Sequence, residues 1–294
     1  MRMKILTQHL LSAVEFAKTI DLGKSPQSWD DLTSSQVLFI CKLFAKAKQE
    51  SNFLTRVALF VYGLRPLSAY HLKGFNYFLF RSGRRRMILS AEQVASLAKK
   101  FSWLTGQSDL TRNMFPVLRV GLKKYYGPEE KLFNLNFAEY QSAENFFLAF
   151  NTLKEVRHLD LLVATLYRLQ IKHYKKICKS PSFKGDRREE FNDYLVEARA
   201  KKINRISIAH KYAVYQYFMG CISYLKKTYP LVFQESSGGI DSNSRLYNHT
   251  MLVEYLKGDN INADPLKENV YQIMARCQKD RLRSQQIENQ KKNV

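Results

Sequence analysis

The segment SIAHKYAVYQYFMGCISYLKKTYP, residues 207–230, carries the clearest helical pattern in the chain. Its apolar residues recur at alternating spacings of four and three, a pattern that places them on one side of a helix. These residues are Ile208, Tyr212, Tyr215, Met219 and Ile222. Proline cannot continue the helical hydrogen-bond ladder, so we expect this helix to end before Pro230. The segment therefore predicts one long helix, and the dominant pattern around it is also helical.

Further helices are predicted on both sides of this segment. A cap residue followed three positions later by Gln or Glu marks a helix start at Thr33–Gln36, Ser90–Gln93 and Asn136–Glu139. Another helix is predicted over EVRHLDLLVATLYRL, 155–169, and an amphipathic one over residues 1–20. Asp264 can cap a C-terminal helix that begins at Pro265 and has the apolar stripe Leu266, Val270, Ile273 and Cys277.

Strand patterns are sparse. FNYFLF (75–80), a turn at residues 81–83 and RRMIL (85–89) are compatible with a hairpin, and equally with a helix that leads into a basic loop. The chain has no strand–helix alternation of the kind that builds a parallel sheet. We therefore predict a mainly α fold, a multi-helix bundle with one small hairpin at most near 75–89.

Loop-rich stretches predict the domain organisation. QESSGGIDSNSR contains the one Gly-Gly pair of the chain, so we expect a flexible linker over 234–245. It would separate a main helical domain, 1–233, from a C-terminal helical segment, 246–294. Apolar residues thin out after Asp280, which predicts either an exposed helix extension or a frayed basic tail.

The charge of the chain is its strongest compositional feature. Among 294 residues, 47 Lys and Arg stand against 26 Asp and Glu, a net charge of +21 with a pI near 9.8. Aromatic residues make up 13% of the chain, so the charge does not belong to a disordered basic tail. The excess charge predicts a polyanionic or acidic partner.

Motifs for catalysis, cofactors and metals are missing from the sequence. It lacks phosphate-binding glycine loops, a nucleophile elbow and HExxH, and its four cysteines are widely separated. We therefore predict no catalytic, cofactor or metal residues and a non-enzymatic protein with reduced thiols. The alternative is a metal-free enzyme whose acid/base residues are scattered in sequence, since such a site leaves no local pattern. No apolar stretch is long enough to span a bilayer, and polar residues interrupt the N-terminal one, so we expect no signal peptide or transmembrane segment.

Two basic clusters are the candidate polyanion or partner sites. The first follows the aromatic segment 75–80 and comprises Arg81, Arg84, Arg85 and Arg86. The second lies in a longer run that acidic residues interrupt, and its candidates are Lys175, Lys176, Arg187, Arg188, Lys201, Lys202 and Arg205. Both clusters also fit ordinary solvated surfaces.

Aromatic side chains suggest a second kind of contact. The tyrosines of the 203–229 helix point to different sides, so we expect Tyr217 and Tyr224 to line a partner surface. The alternative is that this helix is buried in the centre of the domain.

Several segments together resemble helical proteins from phage and prophage tail-gene clusters. They include SWDDLTSSQVLFICKLF (28–44), LFNLNFAEYQSAENFF (132–147), DLLVATLYRLQIKHY (160–174), FKGDRREEFNDYLVEARAKKI (183–203) and AVYQYFMGCISYLKKTYPLVF (213–233). The resemblance implies a tail-assembly chaperone or minor structural component, in the host cytoplasm or incorporated into the virion. It implies a protein partner in virion or tail assembly and no catalytic residues. The alternative hypothesis is a basic protein that binds nucleic acid through non-specific phosphate contacts.

Overall fold

The computed structural model describes residues 24–46, 52–72, 74–181, 183, 185–233 and 264–292. The helix predicted over 1–20 and the linker predicted over 234–245 lie outside these residues. The chain divides into two compact units, Met1–Gln107 and Ser108–Val294, at a boundary that the sequence patterns do not mark. Helices dominate the described residues and antiparallel strands accompany them, so the prediction of a mainly α fold is roughly right and understates the strands.

The described residues of the first unit form α-helices, two short 3₁₀ helices at Trp29–Asp31 and Ser102–Thr105, and a three-stranded antiparallel sheet in the order β1-β2-β3. Its elements, in chain order, are α1 Ser34–Ala45, α2 Phe53–Val61, β1 Arg65–Leu72, β2 Phe75–Ser82, β3 Arg85–Ser90 and α3 Ala91–Lys99. Thr33 and Ser90 form the predicted capping boxes, each with its hydroxyl bonded to the third backbone N–H and the Gln side chain bonded back. Of the two alternatives for residues 75–89, the hairpin is present as β2 and β3, and β1 adds a third strand to it.

The described residues of the second unit are mostly helical and include a two-stranded antiparallel sheet. Its elements are β4 Val117–Val120, β5 Lys123–Tyr126, α4 Phe137–Leu153, α5 Val156–Leu166, α6 Tyr174–Ile177, α7 Val196–Ile203, α8 Ile208–Thr228 and α9 Val270–Lys292. Helix α8 occupies the predicted segment and ends just before Pro230. The predicted stripe does not mark the buried side of α8. Tyr212, Tyr215 and Met219 of the stripe are only half-buried, whereas buried residues occur on all sides of the helix. The alternative, a central helix, describes α8 better.

Helix α5 ends earlier than the sequence pattern predicts. Tyr167 is extended, and the main chain of Arg168 pairs with that of Tyr126, with N···O distances of 2.7 and 3.1 Å. Gln170 then forms an isolated bridge with Arg188. The chain after Leu166 is therefore extended and pairs with other segments. This pairing brings Arg168 and Arg188 to the end of α5.

The C-terminal helix starts later than predicted. Pro265 opens a short 3₁₀ turn, and the Asp264 side chain forms no cap hydrogen bond. Asn269 caps α9 instead, since its Oδ1 accepts a bond from the backbone N–H of Tyr271 at 2.9 Å. Val270, Ile273 and Cys277 are buried as predicted, and the helix continues to Lys292 as an exposed extension. The Val270 N–H donates to the Leu135 carbonyl of the same unit.

The environments of the cysteines predict their reactivity. Cys41, Cys221 and Cys277 are buried, burial raises the pKa of Cys41 and of Cys277, and Cys178 is exposed. We expect one thiol per native molecule to react rapidly with a thiol reagent and all four to react after denaturation. Cys178→Ser should remove the rapid phase. A second thiol that reacts equally fast in the native protein would contradict these burial assignments.

Candidate polyanion interface

Three arginines form a row across the sheet of the first unit. The strand register places Arg65 of β1 opposite Arg81 of β2, and Arg81 opposite Arg86 of β3. Residues directly opposite each other lie on the same face with Cβ atoms about 5 Å apart. All three side chains are exposed. The row, called here the arginine row, is therefore a compact array of positive charge on one face.

The β2–β3 turn extends this array. The strands are joined by Gly83 and Arg84, and Gly83 has φ +57°, as the first position of a tight hairpin turn requires. Arg84 and Arg85 are exposed beside it. The predicted cluster of four arginines is therefore brought together at one end of the sheet, and Arg65 joins it.

Electrostatics within the sheet leave this charge uncompensated. Residues 65–90 contain no Asp or Glu. Among the described residues, no ion pair involves an arginine of the row or the turn, and Arg81 Nε donates to the Gly83 carbonyl at 2.9 Å. Like charges directly opposite each other on neighbouring strands are destabilising. An anion bound across the row would relieve that repulsion.

Aromatic side chains share the face of the arginine row. Tyr70 of β1 lies opposite Tyr77 of β2. Tyr77 is four residues from Arg81 on the same strand, so both tyrosines lie on the face of the row, about 13 Å from it. Phe75 follows Tyr77 on the same face and is 57% exposed. The face thus combines cations for phosphates with rings on which bases can stack.

The second basic run is divided between the surface and the interior of the second unit. Lys175 and Lys176 are exposed on α6, and Lys201, Lys202 and Arg205 are exposed in and after α7. The exposed Arg187 has its guanidinium carbon 4.8 Å from the Tyr126 ring centre and 5.0 Å from that of Tyr174. These residues are accessible, but they do not form a row like that in the sheet.

Arg188 corrects the surface prediction. Its side chain is buried, where it donates to Glu139 Oε1 at 2.7 Å, Asp186 Oδ2 at 2.8 Å and the Leu166 carbonyl at 2.9 Å. Burial works to lower the pKa of Arg188, and the two carboxylates outweigh it and hold that pKa above its ordinary value. The guanidinium group of Arg188 donates its hydrogen bonds to acceptors inside the protein, so it cannot contact a polyanion.

Tyr217 corrects the predicted partner surface. It is only 2% exposed, and its hydroxyl donates to the Glu129 carbonyl inside the second unit. Tyr224 is half-buried, with the Lys131 ammonium 4.7 Å from its ring centre. The two tyrosines therefore do not form a shared exposed surface.

Sequence reasoning missed several basic residues that the fold exposes. Arg65 is isolated in sequence and joins the row only through strand pairing. Arg119, Lys123 and Lys124 lie on the β4–β5 hairpin, whose four-residue strands leave a weak pattern. The signal that could have found them is the lack of acidic residues over 65–90 and 110–128.

The comparisons with known proteins do not assign this surface. No protein family matches the sequence, and neither the curated proteins nor the solved structures gave a match. Within the described part of the chain, metal-ligating side chains do not gather in groups of three or more. No helix among the described residues has the length and apolar character needed to cross a bilayer.

Proposed function

We propose that this protein binds nucleic acid through sequence-independent contacts to phosphate, centred on the arginine row. The observation that carries the proposal is the alignment of Arg65, Arg81 and Arg86 across three adjacent strands without an acidic residue in the sheet. Guanidinium groups bind phosphate oxygens in a bidentate manner, so three exposed guanidinium groups in a row offer several phosphate contacts on one face. The net charge of +21 supports the same partner through long-range attraction.

The role in virion or tail assembly stays a prediction based on the resemblance. Of the two tyrosines that were its candidate client contacts, Tyr217 is buried and Tyr224 contacts Lys131. Nucleic-acid binding rests on a specific geometric feature, and we therefore give it precedence. The two functions are compatible, since an assembly protein can also contact a genome.

The test measures binding of labelled random-sequence duplex and single-stranded DNA over a range of salt concentrations. The variant Arg65→Gln/Arg81→Gln/Arg86→Gln removes the row. If each arginine neutralises one phosphate, the slope of log K against log salt should fall by about 2.7, three contacts at about 0.9 each for duplex DNA. Affinity at low salt should fall at least tenfold.

A matched control separates the row from total charge. Lys226→Gln/Lys227→Gln/Lys279→Gln removes three exposed positive charges of the second unit. It should retain most of the affinity and slope. Equal losses in both triple variants would contradict a localised interface, and failure of the wild-type protein to bind either DNA at low salt would exclude the proposed function.

A further inference from the structure

The β4–β5 hairpin of the second unit presents an apolar residue at its tip. Gly121 and Leu122 form its two-residue turn, with Gly121 at φ +57°. The Leu122 side chain is completely exposed, at 103% of its reference area. Gly121 supplies the positive φ that the turn needs, and Leu122 at the second position does not have a positive φ, so the turn accepts many residue types there and does not itself require a leucine.

The base of the hairpin is anchored firmly. Leu118 and Tyr125 are opposite each other and buried. Tyr126 exchanges two main-chain hydrogen bonds with Arg168, and the Gly127 N–H donates to the Pro116 carbonyl at 2.9 Å. Strands of four residues span about 13 Å. The tip is therefore held at a distance from a fixed base.

The arms of the hairpin are basic. Arg119 pairs directly with Lys124, and Val120 pairs with Lys123. Residues 110–128 contain no Asp or Glu, and no ion pair among the described residues involves these three cations. Tyr126 lies on the same face as Arg119 and Lys124, and the guanidinium group of Arg187 packs against the Tyr126 ring. Positive charge therefore surrounds the apolar tip and continues towards α6.

An exposed leucine between paired cations matches a known physical strategy for duplex binding. Proteins that bind the minor groove insert apolar wedges between base steps while basic residues hold the phosphates, and the duplex kinks. From the buried Leu118 to the turn at Gly121, three residue steps span about 10 Å. This exceeds the minor-groove depth of about 7.5 Å, so the tip can reach the bases. We infer that the hairpin Val117–Tyr126 inserts Leu122 between base pairs of duplex DNA while Arg119, Lys123 and Lys124 contact the flanking phosphates.

This inference rests on the proposed nucleic-acid function, but it concerns a different unit and a different readout. The full-length protein is titrated into a duplex that carries a fluorescent base analogue in the stack and a dye pair at its ends. Wild-type binding should raise the analogue fluorescence, since unstacking relieves quenching, and should bring the ends closer. Leu122→Ala should lose most of both signals, while its affinity changes by less than about tenfold because the cost of unstacking offsets the apolar contact.

Two further variants complete the test. Leu122→Phe should retain the wedge signals, and Leu153→Ala, which truncates an exposed leucine at the end of α4, should behave as wild type. If wild-type protein binds duplex without unstacking or end approach, the wedge is excluded and the proposed function stands. If it does not bind DNA at all, both fail. Binding to anionic phosphatidylserine vesicles that Leu122→Ala abolishes, with the DNA signals unchanged, would overturn the wedge in favour of a membrane contact.

Discussion

Replacement of Glu139 by Leu should lower the free energy of unfolding of the second unit by about 3–5 kcal/mol, the range for removing one member of a buried ion pair. The Glu139 carboxylate is buried and accepts bonds from Arg168 at 2.8 Å and Arg188 at 2.7 Å. Burial raises the pKa of this carboxyl, and the two guanidinium groups oppose that rise. Without it, the two arginines keep only Asp186, and one positive charge is left without a counterion. Chemical denaturation measures the loss.

A charge-balanced variant tests the cause. In Glu139→Met/Arg188→Met one charge of each sign is removed, and Arg168 can still pair with Asp186, 3.6 Å away. We expect this double variant to recover much of the stability lost in Glu139→Leu, because no net charge is stranded. Glu197→Ala breaks the exposed ion pair with Arg157 and should change stability by less than about 1 kcal/mol. A double variant less stable than Glu139→Leu would contradict the network argument.

This network also explains the clearest error of sequence reasoning. Arg188 lies in a charged run with Arg187, and its main partner, Glu139, is 49 residues away. Nothing local distinguishes the buried arginine from its exposed neighbour. Arg188 and Arg199 donate to the carbonyls of Leu166 and Ala164 in the last turn of α5, where cations satisfy unpaired carbonyl groups. That role exists only after α5 and the later segment have come together.

Features that depend on nearby residues were predictable. The capping boxes at Thr33 and Ser90 act over three residues, and the β2–β3 hairpin connects adjacent segments. The arginine row was predictable only in part, because Arg65 reaches Arg81 through a strand pairing that the sequence does not announce. The β4–β5 hairpin was missed because four-residue strands carry too little alternation to be recognised.

Gly220→Ala should be the most disruptive small substitution in α8. Alanine normally stabilises a helix relative to glycine by about 1 kcal/mol. At Gly220, however, an added Cβ would lie 2.2 Å from the Leu110 carbonyl oxygen and 2.5 Å from the Leu110 nitrogen. Both atoms belong to the main chain, so no side-chain rotation relieves the overlap. Either α8 or the segment around Leu110 must move, and overpacking of this kind costs about 1–3 kcal/mol or more.

The expected result is a net loss of about 2 kcal/mol in the free energy of unfolding, the upper overpacking cost of about 3 kcal/mol less the helix preference of about 1 kcal/mol. Lys226→Ala, at an exposed position of the same helix, should stay within about 0.5 kcal/mol of wild type. Denaturant titrations followed by circular dichroism compare the two variants. Because α8 occupies the centre of the second unit, the loss should appear across that whole unit rather than at one helix end. A stabilised Gly220→Ala protein would show that α8 does not approach Leu110 as closely as these distances require.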